Sequence, residues 1–216
     1  MMKKTILYIH GKGGSHLEAA QYQKSCPGYT VVGADYEVDF PWVVEGRLRA
    51  AYDAASRDSG QVVLLANSIG AYFAMDALGS CGAARALFIS PVLDMERLIL
   101  DMMGRAGVTE EELRTRGEIP TDFGETLSWE YLRYVREHPV RWDIPTEILY
   151  ADGDHLTARQ TVDAFAAARR AGLTVMEGGE HWFHTGEQLA FLDRWLRDRL
   201  GERGGEPAPA SPVIST

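Results

Sequence analysis

Short apolar runs alternate along the 216-residue chain with stretches whose apolar residues recur at helical spacing. The apolar runs are Ile6–Ile9, Thr30–Ala34, Val62–Ala66, Ala86–Ile89, Glu147–Tyr150 and Leu173–Met176. The helical stretches are Val43–Ser56, Ile69–Leu78, Thr157–Ala171 and Glu187–Leu200. Runs that are apolar almost throughout are typical of strands buried on both faces of a parallel sheet. The alternation therefore predicts an α/β fold with a doubly wound, mostly parallel sheet of about six strands.

One interval interrupts this alternation. The segment between the run ending at Ile89 and the run starting near Thr146 is too long for a single crossover helix. We therefore predict a helical cap inserted at about 92–143 within a domain that spans residues 1–200. Residues 201–216 are rich in Gly, Pro and Ser without periodicity, which predicts a disordered C-terminal tail.

The inserted segment contains two stretches with helical character. Apolar residues cluster between positions 93 and 103, and Ser128 is placed as the N-cap of a helix over Trp129–Val135. The polar segment Gly117–Gly124 lies between the two stretches, and we interpret it as a hinge.

Acidic residues outnumber basic ones, with 31 Asp and Glu against 22 Lys and Arg and a net charge of −9. This balance argues against binding to nucleic acid or to an anionic membrane. The apolar run after Met1–Lys4 is too short for a signal peptide, and no stretch is long enough to cross a bilayer, so we expect a cytoplasmic protein. Cys26 and Cys81 are interpreted as free thiols, with a single disulfide as the alternative.

A serine lies at the junction between an apolar run and a helical stretch. Ser68 follows the run ending at Ala66 and directly precedes Ile69, where the helical spacing begins. A sharp strand-to-helix turn exposes the serine hydroxyl, and it requires small residues two before and two after the serine. Ala66 and Gly70 meet that requirement, although the usual pattern has glycine at both positions. Ser68 is therefore the candidate nucleophile, with an ordinary strand–helix turn as the alternative.

A serine nucleophile needs a base and a carboxylate that orients the base. His181 follows the last predicted strand and is our candidate base, while His184 is the alternative closer to the helix. Asp154 follows the preceding strand and is our candidate acid, with Asp152 as the alternative. We favour Asp154 because orienting the histidine requires a side chain that reaches across the loop.

The glycine-rich loop after the first run could supply backbone N–H groups to an oxyanion. Lys12 is our first choice and Gly13 our second, together with the N–H of Ile69 at a helix N-terminus. The competing interpretation is phosphate binding by a dinucleotide fold, but His16 stands where the third glycine of that motif is required.

The loop histidines also raise the possibility of a metal site. His181 and His184 have the spacing of some ligand pairs, and His155 adjoins Asp154. The sequence contains neither an H-E-x-x-H motif nor a cysteine cluster, so we expect no metal and no organic cofactor.

Taken together, these motifs resemble those of the α/β-hydrolase superfamily. A His-Gly-x-Gly-Gly loop at residues 10–14, Ser68, Asp154 and His181 occur in the order Ser…Asp…His, and the resemblance covers about Thr5–Leu200. It implies a mostly parallel sheet, a Ser-His-Asp triad and a cap over the site. Because the first strand lies so near the N-terminus, the first two antiparallel strands of the superfamily are expected to be missing.

The resulting prediction is a serine hydrolase that cleaves a small carboxylic ester or thioester. Leu98 and Trp129 in the cap are expected to line an apolar acyl pocket. Alternatives are an amidase, a lactonase or a C–C hydrolase using the same residues, and a non-catalytic protein that binds a ligand or a partner. A small-molecule acyl substrate is the expected partner, and the sequence does not indicate an oligomeric state.

Overall fold

The computed structural model describes residues 3–201, so the predicted tail at 201–216 lies outside the described residues apart from Gly201. Its strands are β1 (Lys4–Ile9), β2 (Thr30–Gly33), β3 (Gln61–Asn67), β4 (Arg85–Ile89), β5 (Glu118–Pro120), β6 (Thr126–Ser128), β7 (Thr146–Ala151) and β8 (Gly172–Met176). Its α-helices are α1 (Ala19–Tyr22), α2 (Pro41–Arg57), α3 (Ile69–Leu78), α4 (Met95–Ala106), α5 (Glu110–Arg116), α6 (Trp129–Glu137), α7 (Arg159–Arg169) and α8 (Gly186–Leu200).

The main sheet confirms the predicted fold class. Six strands pair in the order β2-β1-β3-β4-β7-β8, and every neighbouring pair is parallel. The six apolar runs identified in the sequence each fall on one of these strands. The remaining two strands, β5 and β6, form a separate antiparallel pair.

Alternate residues of each central strand pack into hydrophobic cores on opposite faces of the sheet. In β1, Leu7 and Ile9 join the core formed with α2 and α3, whereas Ile6 and Tyr8 join the core formed with α8. This is the two-residue period of an extended strand, and it explains why the runs are apolar at nearly every position.

The strand order places a topological switch between β1 and β3. The chain leaves β1 towards β2 on one side and returns through β3 to build the rest of the sheet on the other side. Loops that follow strands on either side of such a switch diverge and leave a crevice at the carboxyl ends of the strands. The glycine loop after β1 and the turn containing Ser68 after β3 border that crevice.

The inserted segment folds as α4, α5, a β-hairpin and α6. Ser128 caps α6 as predicted, since its side chain accepts a hydrogen bond from the N–H of Tyr131 at 3.3 Å. The segment Gly117–Gly124, interpreted above as a hinge, instead forms β5 and the turn of the hairpin. Ile119 faces Leu127 across this hairpin, and both side chains are buried in the main core, which supplies the hydrophobic contact that a polar linker would lack.

Helix α7 starts later than predicted, at Arg159 instead of Thr157. The N–H of Thr157 donates to the Asp154 carboxylate at 3.2 Å and its hydroxyl donates to the carbonyl of Pro91 at 3.0 Å. These two hydrogen bonds keep Thr157 in the loop that precedes the helix.

Two further findings bear on the predictions made from composition. No helix within residues 3–201 is long and apolar enough to span a bilayer. Cys26 and Cys81 are both free thiols, as expected. Burial raises the pKa of Cys26 to about 12 and also raises the pKa of Cys81, so neither thiol is activated as a nucleophile at neutral pH.

Candidate active site

Ser68 occupies a strained turn between β3 and α3. Its backbone angles are φ 54° and ψ −124°, a conformation that residues other than glycine rarely adopt. Two flanking bonds hold the turn, because the Ser68 N–H donates to the carbonyl of Ile89 and its own carbonyl accepts from the N–H of Val92, both at 3.0 Å. Strain of this kind persists only where the surrounding structure imposes it, and it is common at functional sites.

Close packing against the end of β1 explains the small residues around Ser68. A Cβ atom at Gly70 would lie 2.5 Å from the carbonyl oxygen of His10 and 2.6 Å from that of Ile9. A Cβ atom at Gly11 would lie 3.1 Å from the Cβ of Ser68. Ala66, on the other side of the turn, is fully buried in the core, where its methyl group is accommodated.

The side chains of Ser68, His181 and Asp154 form one hydrogen-bonded chain. The Oγ of Ser68 lies 2.9 Å from Nε2 of His181, and Nδ1 of His181 lies 2.7 Å from Oδ2 of Asp154. A carboxylate can only accept, so Nδ1 carries the proton and Nε2 is free to accept from the serine hydroxyl. The His181 and Asp154 side chains are 1% and 0% exposed, which shields their charge-assisted bond from water.

The two aspartates of the β7 loop have different partners. The second oxygen of Asp154 accepts the N–H groups of Leu156 and Thr157, at 2.8 and 3.2 Å, so this buried carboxylate is fully hydrogen-bonded. Asp152 is exposed and instead accepts the N–H of Gly178 at 2.8 Å. That bond joins the β7 loop to the β8 loop, and it gives Asp152 a structural contact away from His181.

His184, the alternative base, lies outside this chain of hydrogen bonds. Its ring is exposed, its Nδ1 lies 2.7 Å from the carbonyl of Trp182, and its backbone N–H donates to Gln188 in the first turn of α8. The ring of Trp182 instead stands beside His181, with centroids 5.9 Å apart, at the mouth of the site.

The candidate oxyanion donors belong to the two segments that meet at Ser68. Ile69 is the first residue of α3, where N–H groups lack an intrahelical acceptor and the helix dipole favours negative charge. Lys12 follows Gly11, which packs directly against Ser68. Within residues 3–201, no protein acceptor is found for the N–H of Lys12, Gly13 or Ile69.

A cavity of about 680 Å³ opens above Ser68 and His181. The cap contributes its apolar wall, and Leu98 is among the residues that line this cavity. Trp129 does not line it, and its side chain packs instead against the main core. Tyr131 takes the place expected for Trp129, because residues two positions apart on a helix point in nearly opposite directions.

The three-dimensional arrangement is similar to that of several known structures. Est1E from Butyrivibrio proteoclasticus matches with a TM-score of 0.74 at 17% identity, covering 92% of this chain and 87% of Est1E. The mouse alpha/beta hydrolase domain-containing protein 10 matches with a TM-score of 0.68 at 15% identity, covering 91% and 89% of the two chains. A soluble variant of monoglyceride lipase from Saccharomyces cerevisiae matches with a TM-score of 0.59 at 11% identity, covering 92% and 86%.

The chain has the α/β-hydrolase fold. No protein-family model matches the sequence, and no curated protein matches it either. The main sheet within residues 3–201 is wholly parallel, in keeping with the expectation that this α/β-hydrolase fold lacks its first two antiparallel strands.

The cap of this α/β-hydrolase fold also places charged residues on the cavity that the sequence did not reveal. Glu125, from the hairpin, accepts the Nζ of Lys12 at 2.5 and 2.6 Å and so connects the cap to the glycine loop. The guanidinium of Arg105 lies 4.3 Å from the ring centroid of Phe123. The one signal in the sequence for this hairpin is the glycine at position 124, because glycine favours turns with positive φ. In the structure, Gly124 has a φ of +83° in the hairpin turn.

The charged side chains of the site do not form a metal centre. Across residues 3–201, no group of three or more His, Cys, Asp or Glu residues is arranged to hold a metal ion. The ring nitrogens of His181 are both engaged by Ser68 and Asp154, and His155 contributes only ring contacts to His181 and Trp182.

The packing around the turn predicts opposite effects for two glycine substitutions. Gly70→Ala should lower the free energy of unfolding by about 1–3 kcal/mol, because the new methyl group overlaps backbone oxygens that cannot move aside. Gly46→Ala, in the interior of α2 with nothing near its Cβ position, should raise it by about 0.5–1 kcal/mol. Urea unfolding of both variants measures the two values, and equal effects would contradict the close approach of β1 to the turn.

Proposed function

We propose that the protein is a serine hydrolase that cleaves a carboxylic ester or thioester through an acyl-enzyme intermediate. The observation that carries this proposal is the hydrogen-bonded chain from Ser68 through His181 to the buried Asp154. Acyl transfer by serine requires a nucleophile, a base in the correct tautomer and a carboxylate that orients the base, and these three side chains can fill those roles. The position of the serine between β3 and α3 is that of a nucleophile elbow.

In the proposed acylation step, the Oγ of Ser68 attacks the ester carbonyl carbon while its proton passes to Nε2 of His181. The bond from Asp154 to Nδ1 holds the ring in the required tautomer and stabilises the imidazolium that forms. The N–H groups of Lys12 and Ile69 stabilise the negative charge that develops on the carbonyl oxygen. Collapse of the tetrahedral intermediate breaks the bond to the leaving group, which takes the proton from His181.

Deacylation repeats these steps with water as the nucleophile. His181 removes a proton from water, the hydroxide attacks the acyl carbon, and Ser68 leaves with the proton returned by His181. The products are a carboxylic acid and a free Ser68 hydroxyl, so neither an oxidant nor a metal is needed to balance the reaction.

The apolar wall of the cavity supports an acyl group as the part of the substrate that the cap binds. The side chains of Leu98, Ile99 and Met102 face the cavity from α4, and Leu127 faces it from the hairpin. Cavities with a mostly apolar lining and few polar groups are typical of small-molecule sites. Two of the similar structures, from S. cerevisiae and Paleococcus ferrophilus, are lipases by name, which agrees with an ester substrate.

The nucleophile and base are tested by two alanine variants. Ser68→Ala should abolish both hydrolysis of p-nitrophenyl butyrate and labelling by a fluorophosphonate probe, because no other group replaces the attacking oxygen. His181→Ala should be nearly as severe, since members of such a triad act as a unit. The exposed His184→Ala is the matched control and should keep its activity. Activity near the original level in Ser68→Ala would rule out the mechanism, and loss in His184→Ala would move the base.

Two asparagine variants test which of the two aspartates orients His181. Asp154→Asn should lower kcat by about 10⁴-fold, because an amide does not hold His181 in the required tautomer. Asp152→Asn should cost far less, since its amide oxygen can still accept the N–H of Gly178. Steady-state kinetics on p-nitrophenyl butyrate compares them, and a larger loss in Asp152→Asn would transfer the role to Asp152.

The acyl pocket is tested by chain length. Each buried methylene contributes about 0.8 kcal/mol, so kcat/KM should rise from acetate to butyrate to octanoate esters while the pocket has room. Leu98→Ala should flatten this rise more than it lowers turnover of the acetate ester. Trp129→Ala, which removes a residue outside the cavity, should leave the slope unchanged and lower the melting temperature. An equal loss on all three esters in Leu98→Ala would end the acyl-pocket assignment.

A further inference from the structure

One face of α4 forms a continuous wall of the cavity. The face begins beside the nucleophile, since Val92, three residues before the helix, donates its N–H to the carbonyl of Ser68. The cavity-lining residues of α4 recur at helical spacing and are Met95, Leu98, Ile99, Met102 and Arg105. The wall is therefore apolar for about two turns and ends in a cation.

Arg105 stands at the far end of this wall from Ser68. It lies ten residues beyond Met95, which corresponds to about 15 Å along the helix axis at the α-helical rise per residue. The hairpin contacts both ends of the cavity. Phe123 stacks under the Arg105 guanidinium, whereas Glu125 accepts a hydrogen bond from the Lys12 side chain of the glycine loop. The cavity is thus bounded by reacting groups at one end and by Arg105 and Phe123 at the other.

Arg105 lines the cavity without a carboxylate partner, unlike most arginines of the cap. Within residues 3–201, no carboxylate forms an ion pair with it, and its guanidinium lies over the Phe123 ring. Four other cap arginines pair with acids, namely Arg97, Arg114, Arg133 and Arg136. The other cation on the cavity, Lys12, is neutralised by Glu125.

The two acids that line the cavity are engaged elsewhere, and one of them, Glu125, accepts hydrogen bonds from Lys12. Glu18 lines the cavity on the side of the glycine loop, where its carboxylate accepts the hydroxyl of Tyr8 at 2.6 Å and lies against Gly14. The distal end of the cavity therefore presents an unpaired positive charge next to apolar surface.

We propose that Arg105 binds an anionic group at the distal end of the acyl chain, so that the substrates are esters or thioesters of dicarboxylic acids with one free carboxylate. The proposal rests on the proposed function, and it specifies the substrate class of the same site. A guanidinium stacked on an aromatic ring keeps its N–H edge available, and that edge matches a carboxylate with two parallel hydrogen bonds. Arg105 is exposed, so this pairing forms at the edge of the cavity and is weakened by added salt.

A neutral acyl chain fits this end of the cavity less well. Its terminal methyl group would meet the guanidinium of Arg105 and displace water from it without supplying an acceptor, which is unfavourable for a charged group. A chain with a terminal carboxylate supplies the acceptor. The preference for the charged substrate should therefore appear only when the chain is long enough to reach Arg105.

The test compares matched substrates that differ only in the terminal group. The p-nitrophenyl hemiesters of succinate, adipate and suberate are paired with p-nitrophenyl butyrate, hexanoate and octanoate. In the wild-type protein the ratio of kcat/KM for hemiester over neutral ester should rise with chain length. In Arg105→Met, which keeps the apolar stem against Phe123, the ratio for the longest pair should fall by about tenfold or more, the size of one charge-assisted hydrogen bond.

Two further arginine variants define the effect. Arg105→Lys should retain part of the preference, because the charge persists while the two-point geometry is lost. Arg116→Met removes an exposed cap arginine outside the cavity lining and should leave both kinetic constants unchanged. A wild-type preference for the neutral ester at every length, or an unchanged ratio in Arg105→Met, would overturn the proposal.

Calorimetry separates this proposal from the proposed function. Suberamate, the monoamide of suberate, should bind the wild-type protein more tightly than the uncharged octanamide, and Arg105→Met should remove that difference. If no ester is hydrolysed but suberamate binds through Arg105, the hydrolase assignment fails and the anion site stands. If esters are hydrolysed and suberamate binds no better than octanamide, the anion site fails and the hydrolase assignment stands.

Discussion

The close approach of β1 to the turn after β3 is the constraint on which the candidate site depends. At Gly70 and Gly11 the two segments lie so near each other that a side chain on either would press against backbone or against Ser68. This contact holds Ser68 at a positive φ that the residue would not adopt by itself. It also places the glycine loop beside the serine, so the strain and the unpaired N–H groups have one common origin.

The remaining side chains reach Ser68 because parallel strands end at the same edge of the sheet. Asp154 follows β7 and His181 follows β8, and the bond from Asp152 to the N–H of Gly178 holds the two loops together. Burial then determines the strength of the Asp154–His181 contact, since a charge-assisted bond without water access is stronger than one at the surface. Asp152 thus supports the geometry without touching His181.

The cap determines the shape of the cavity through contacts that are distant in sequence. Arg105 meets Phe123 across a loop, a helix and a strand, and Lys12 meets Glu125 across 113 residues, more than half of the chain. Neither pair has the i, i+3 or i, i+4 spacing from which a helical contact can be predicted. The same reason explains the wrong prediction for Trp129. Packing against the core sets the rotation of α6, and this rotation turns Tyr131 and not Trp129 towards the cavity.

The sequence by itself determined the six parallel strands, the turn at Ser68 and the loops that contain Asp154 and His181, because strand burial and turn sterics leave local signals of period and residue size. Only the tertiary structure decided that Asp154 and not Asp152 meets His181, that Gly117–Gly124 builds a hairpin, and that Arg105 closes the cavity. Each of these depends on how segments far apart in the chain pack together, and that packing is a property of the assembled core that no local pattern encodes.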